Sequence, residues 1–204
     1  MKFKIVETPE ELLKSTSAIP FHYCGSLSSF AKPKFMSSLL IDILYQRVVI
    51  KGCILRNMTL YVRQPITLLT SDHNAMVSIN CVIKGNVEVR LNGEESISLA
   101  QNEYAILQMN TDDHALILQP GIHEILRFDY TNRIIQKEIP EWVEKLEKNE
   151  SVVYEDGVIS EDLIKRLQQL KHTTIDSPEQ EEWFYRKLRK YLRLVLEEHH
   201  FLKD

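Results

Sequence analysis

The side chains best suited to metal, redox or nucleophilic chemistry in this 204-residue chain are seven histidines and three cysteines. Cys24, Cys53 and Cys81 are widely spaced and form no Cys-x-x-Cys pair, the arrangement used by zinc sites and dithiol redox centres. They read as buried thiols, and Cys81, on an apolar strand face with no base near it in sequence, reads as structural sulfur. His199 and His200 are adjacent near a helix end, where neighbouring side chains diverge and positive charge suits the dipole; they read as surface or junction residues. His73 and His114 fall at turns and read as solvent-exposed. The sequence has no Gly-x-Ser-x-Gly elbow, no Gly-rich phosphate loop and no His-Glu-x-x-His pair. No catalytic residue is expected.

Small-molecule binding has better candidates. Ser78 and Asn80 alternate with Val77, Ile79, Cys81 and Ile83, and His123 and Arg127 share a face with Ile125, opposite Leu126, Phe128 and Tyr130. Polar groups on an inward face must be paired or must meet ligand or water. A few of them among apolar residues is the usual composition of a ligand pocket. Ser78, Asn80, His123 and Arg127 are therefore the candidate ligand-binding set, with the inward face left open.

The elements that position them are short strands. Alternation over 77–83 is broken at Lys84-Gly85-Asn86 and resumes over 87–91; Asn92-Gly93 then supplies the positive φ angles of a tight hairpin. Further strands are predicted over 97–99, 104–109, 114–119 and 122–130, with turns at 101–102 and 120–121. Antiparallel strands at this spacing imply a sandwich or barrel. Upstream, 9–14 reads as a helical turn, 21–34 as loop, and 39–50 as strand or helix.

From Pro140 the period becomes helical, with the boundary near 131–139. Pro140 opens a helix ending near Asn149, Ser160 caps one over 161–171, and Ser177-Pro178-Glu179-Gln180 is a capping box for the longest, to about Phe201. In that helix Phe184, Leu188, Tyr191, Val195 and Leu202 form one stripe, with Arg186, Arg189, Lys190 and Arg193 opposite. The stripe needs a partner, within the chain or across a dimer. From Pro178 onward the helix carries six basic and six acidic residues, so the cations read as a solvated face.

Composition narrows the classes. With 44% hydrophobic and 26% charged residues, 6 Gly and 7 Pro, the chain is globular, neither disordered nor collagenous. A net charge of −4 argues against whole-surface binding to nucleic acid or membrane. No apolar window is long enough for a membrane span and the start lacks a secretory signal, so a cytoplasmic location is expected.

The strand pattern invites a test against the cupin metal motif, His-x-His, four residues, Glu, six residues, Gly. Set on Gly85, it puts Ser71 and His73 at its histidines and Ser78 at its glutamate; counting on from Asn102 puts Asp113, beside His114, at the second motif's histidine. One ligand of four is present, short of the roughly three donors a divalent metal needs, so no metal or other cofactor is expected.

The run from Val77 to Val87, then Leu99-Ala100-Gln101-Asn102-Glu103-Tyr104, then Gly121 to Tyr130, resembles the cupin-like sensor region of AraC-type transcription regulators, and the capped helices are similar to that family's dimerisation segment. Asn102 stands where these barrels often have Gly, which Asn can replace in the left-handed conformation. The resemblance implies an α+β, mainly β fold: a cupin-like double-sheet barrel (jelly roll) over 1–135, followed by a three-helix segment over 136–204. It implies a small-molecule effector in a metal-free barrel, and a homodimer through Phe184, Leu188, Tyr191 and Val195. DNA would be read only by helix-turn-helix units outside this chain, whose helix junctions lack the turns such units favour. A small metal-dependent cupin enzyme using His73 and His114, and a standalone interaction module, are the alternatives.

Overall fold

The computed structural model describes residues 2–7, 13–16, 18–20, 23, 27–71, 76–91, 95–109, 113–140, 143 and 153–198. Thirteen strands are described: β1 Lys2–Ile5, β2 Lys14–Thr16, β3 Lys34–Ser37, β4 Ile41–Ile50, β5 Cys53–Val62, β6 Ile66–Ser71, β7 Met76–Lys84, β8 Val87–Leu91, β9 Glu95–Leu99, β10 Glu103–Met109, β11 Asp113–Leu118, β12 Gly121–Thr131 and β13 Val153–Val158. The described helices are α1 Asn132–Glu138, α2 Glu161–Lys171 and α3 Pro178–Glu198. One sheet runs β1-β6-β11-β8-β9, and the larger runs β13-β10-β7-β12-β5-β4-β3-β2, with every pairing antiparallel. This is the expected cupin-like double-sheet barrel with helices after it.

Turn chemistry fixes the registers. Lys51 and Gly52, both with positive φ, form the two-residue turn between β4 and β5 and pair Ile50 with Cys53. Gly85 has φ +79°, and a Cβ there would lie 2.6 Å from His123 Nδ1 and 2.7 Å from the Ile122 carbonyl, so only glycine fits. Asn102 adopts φ +65°, the left-handed conformation expected of it. The Asn92-Gly93 turn lies outside the described residues; β8 and β9 pair as an antiparallel hairpin with Leu91 opposite Glu95, so residues 92–94 connect them.

The larger sheet is covered on both faces. Its inner face, with Ile43, Met58, Leu60, Val82, Ala105, Leu107 and Ile125, meets Leu68, Val89, Leu116 and Leu118 of the smaller sheet inside the barrel. Its outer face, with Leu55, Ile79, Cys81, Ile106, Leu126, Phe128 and Tyr130, packs against α1, α2 and α3. Within 39–50, Ile41–Ile50 resolve as strand because both sides of β4 have something to bury against. Ser160 Oγ accepts from Leu163 N at 3.3 Å, and Ser177 and Gln180 cap each other reciprocally at 3.1 and 3.3 Å, as their spacing predicts.

Three expectations are corrected. The stripe Phe184, Leu188, Tyr191 and Val195 is not a subunit contact: all four side chains are buried in the chain's own core, against the outer face of the larger sheet. The 135/136 boundary does not divide the structure: α1 runs across it, β13 beyond it is a strand of the larger sheet, paired with β10, and the helices share the sheet's outer cluster. Residues 132–138 form a helix that the pattern did not mark. In the predicted helix from Pro140 to Asn149, residues 141–142 and 144–149 lie outside the described residues. So do Cys24, His73, His199, His200, Leu202 and most of the 9–14 stretch, although Lys14 opens a strand.

Candidate functional site

A buried polar cluster sits inside the barrel among these aliphatic side chains. Alternation along β12 turns Ile125, Arg127 and Asp129 inward while Leu126, Phe128 and Tyr130 face the helices; on β7 it turns Ser78 and Asn80 inward, opposite Val77, Ile79 and Cys81. The cross-strand register then places Arg127 beside Asn80 on one neighbour and beside Arg56 on the other. Two guanidiniums directly opposite each other repel. Asp129 resolves the conflict: its carboxylate accepts from Arg127 Nε at 2.7 Å, from Ser78 Oγ, and forms an ion pair with Arg56. Arg56, Ser78 and Asp129 are fully buried, and Arg127 nearly so.

The smaller sheet adds His114 from β11 and Thr70 from β6. His114 Nε2 lies 2.8 Å from Arg127 Nη1 and 2.6 Å from Thr70 Oγ1. A guanidinium can only donate, so Nε2 is the acceptor and the ring proton sits on Nδ1. Burial, and then the charges of Arg127 and Arg56, hold the His114 pKa well below the ordinary histidine value, which keeps the ring neutral and that lone pair available. His114 was expected at a solvent-exposed turn; it is a buried strand residue.

The Asn80 amide nitrogen and His114 Nδ1 are buried donors without a hydrogen-bond partner among the described residues. Buried donors left unpaired cost about 1–3 kcal/mol each, energy that an acceptor oxygen reaching either of them would recover.

Of the four candidate ligand residues, Ser78, Asn80 and Arg127 come together here. His123 does not. It lies four residues from Arg127 along β12, about 13 Å at strand rise, with its Nε2 2.7 Å from the Gln119 carbonyl and its ring under Gly85. Its role is to pack that end of the barrel. Arg56, Asp129 and Thr70 were missed as site residues, and His114 was weighed only as a metal ligand; the available signal was a charged or polar residue at an inward position of an apolar strand. Among the described residues, no group of three or more His, Cys, Asp and Glu side chains could hold a metal ion, and His73 lies outside them.

The same strands hold α3 from behind. Tyr191 stacks on Phe128, its hydroxyl lies 3.1 Å from Cys81 Sγ, and the Tyr130 hydroxyl donates to the Leu188 carbonyl at 3.0 Å. Asn80 and Cys81 are consecutive, as are Arg127 and Phe128, so the inner cluster and the helix seat share two backbones. At the far end of β12, buried Lys171 of α2 pairs with Glu124.

No protein-family model matches the sequence, and no curated protein matches it. Among solved structures, the AraC-like transcriptional activator CuxR superposes with a TM-score of 0.51 at 8% identity, over 78% of this chain and 54% of that one. The apo form of a ToxT variant from Vibrio cholerae superposes with a TM-score of 0.52 at 11% identity, over 74% of this chain and 58% of that one. The chain shares the fold of an AraC-like regulator. It spans little more than half the length of either structure. Among the described residues, no helix is long and apolar enough to cross a membrane.

Proposed function

We propose that this chain is the effector-sensing part of a cytoplasmic transcription regulator, binding a small molecule inside a metal-free barrel, with base-specific DNA reading done by a region the chain does not contain. The observation that carries the reading is the presence of unpartnered donors on Asn80 and His114 beside a buried network of hydrogen bonds and ion pairs. An effector with a carbonyl, hydroxyl or carboxylate oxygen would satisfy them. Its signal passes by linkage: a ligand that favours one arrangement of β7 and β12 favours the seat of α3 that goes with it. Two copies pair through the outward surface of α2 and α3, where Trp183 and Leu194 are half-buried beside Gln169, since the inward stripe is occupied.

The fold also serves enzymes, but the site favours sensing. On His114, Nε2 accepts from Arg127 and contacts Thr70, which leaves the ring proton on Nδ1 and no free lone pair for a metal.

A thermal-shift screen of small polar metabolites tests the proposal. A true effector raises Tm by the amount expected from its concentration and affinity, about 2.7 kcal/mol of stabilisation at a hundredfold excess over Kd. The shift should disappear in Asn80→Leu, which keeps the volume and removes the donor. A shift unchanged in Asn80→Leu places the site elsewhere, and a screen without any stabilising compound favours an interaction module whose barrel is filled by its own side chains.

A further inference from the structure

The cations of α3 are segregated along it. Between Trp183 and Leu196 the helix has five basic residues and no acidic one, its carboxylates lying near the two ends. The equal count of charges conceals a basic centre.

That centre forms a built surface. Glu138, at the end of α1, has a side chain only 1% exposed and forms ion pairs with both Arg189 and Arg193, the latter at 2.9 Å. One buried carboxylate thus fixes two guanidiniums, and Arg189 also lies over the Tyr185 ring, 5.3 Å from its centroid. Arg186 and Lys190 stand beside them, exposed and in no ion pair with any described residue. The groove so formed, about 380 Å³, is lined by Glu138, Arg186, Arg189, Lys190, Arg193 and Leu194: four cations against one carboxylate.

We infer that this groove docks the phosphate backbone of duplex DNA. Three features select that partner. Arg186, Lys190 and Arg193 follow one another at i, i+4 and i+7, a row about 10 Å long that suits a line of phosphates better than one small anion. Three of the four cations are arginines, whose forked donors match phosphate oxygens. The groove carries no aromatic platform or base-reading side chain beyond these, so it positions without selecting sequence. The inference extends the regulator reading but does not depend on what occupies the barrel, and an effector screen has no bearing on its outcome.

Fluorescence anisotropy with a labelled 20-base-pair duplex of arbitrary sequence, titrated with the 204-residue protein between 50 and 200 mM NaCl, tests it. Three phosphate contacts give a log–log salt slope of about −2.7, independent of sequence. Arg186→Glu/Lys190→Glu should flatten the slope by about 1.8 and weaken binding at 50 mM NaCl at least tenfold. Both positions are exposed, so an unchanged Tm confirms the fold. Lys34→Glu/Lys165→Glu, the same charge change at exposed positions on β3 and α2, should leave binding within about twofold. No binding at 50 mM NaCl overturns the inference, as does an equal loss in both double variants, which would reduce the effect to net charge. Displacement of the duplex by polyglutamate as readily as by an equal charge of unlabelled duplex would assign the groove to an acidic protein segment and overturn it too.

Discussion

Tyr191 of α3 and Phe128 of β12 lie ring on ring, 4.4 Å between centroids and 22° between planes. Phe128 is flanked in sequence by Arg127 and Asp129, both turned to the opposite side of the sheet. The helix therefore rests on the reverse of the strand that carries the interior charges.

That seat makes Leu188 and Val195 core residues. Leu188→Glu/Val195→Glu should unfold the protein and not release soluble monomers, because each change places a carboxylate where 1% or less of the side chain meets water. Circular dichroism and light scattering separate the two outcomes; a folded monomer would contradict the packing. Trp183→Glu, on the outward surface, should keep the fold and dissociate the proposed dimer.

Asp129 is the one carboxylate shared by Arg56, Arg127 and Ser78. Asp129→Ala should destabilise by about 3–5 kcal/mol, because it strands two buried guanidiniums. Urea unfolding measures this directly. A loss below 1 kcal/mol would mean that the arginines find other partners without cost.

His114 gives stability a pH dependence of definite sign. Its folded pKa lies well below the ordinary value of 6.5, through burial and then the charges of Arg127 and Arg56, so below that pH the unfolded chain takes up a proton the fold refuses. Stability is fully present above pH 6.5 and falls as the pH drops below it, by at most about 1.4 kcal/mol per pH unit from this residue. His114→Gln should remove that component between pH 6.5 and 5, seen as a flatter plot of unfolding free energy against pH.

Burial pushes the thiols of Cys53 and Cys81 up to about 12. In a Cys24→Ser background neither should react with a thiol reagent at pH 8 until the protein unfolds, and both should then react together. Reaction in the native state would show that the helices open readily from the sheet.

Periodicity reveals strands and helices whose faces differ in polarity. The alternation around Ser78, Asn80 and Arg127 was readable for that reason, and so was the stripe from Phe184 to Val195. The stripe's partner was not readable, since an apolar face looks the same whether it meets the chain's own sheet or a second subunit. Arg56 escaped notice and His114 was read as exposed because a single polar residue in an apolar strand resembles an outward-facing one; only the pairing of β5 with β12 and the contact from β11 bring them to Asp129 and Arg127. The segment from Val153 to Val158 contains a glycine and two acidic residues, and it becomes a strand through its pairing with β10.

That late strand governs how the molecule can be assembled. β10 pairs with β7 on one side and with β13 on the other, Glu103 lying opposite Val158. During synthesis the larger sheet keeps an open edge along β10 until residue 158 has left the ribosome, and such an edge can template pairing with another chain. Fragments ended at residue 135 would keep the edge permanently and should aggregate, so the smallest well-behaved unit of this protein extends past β13 into the helices that cover it.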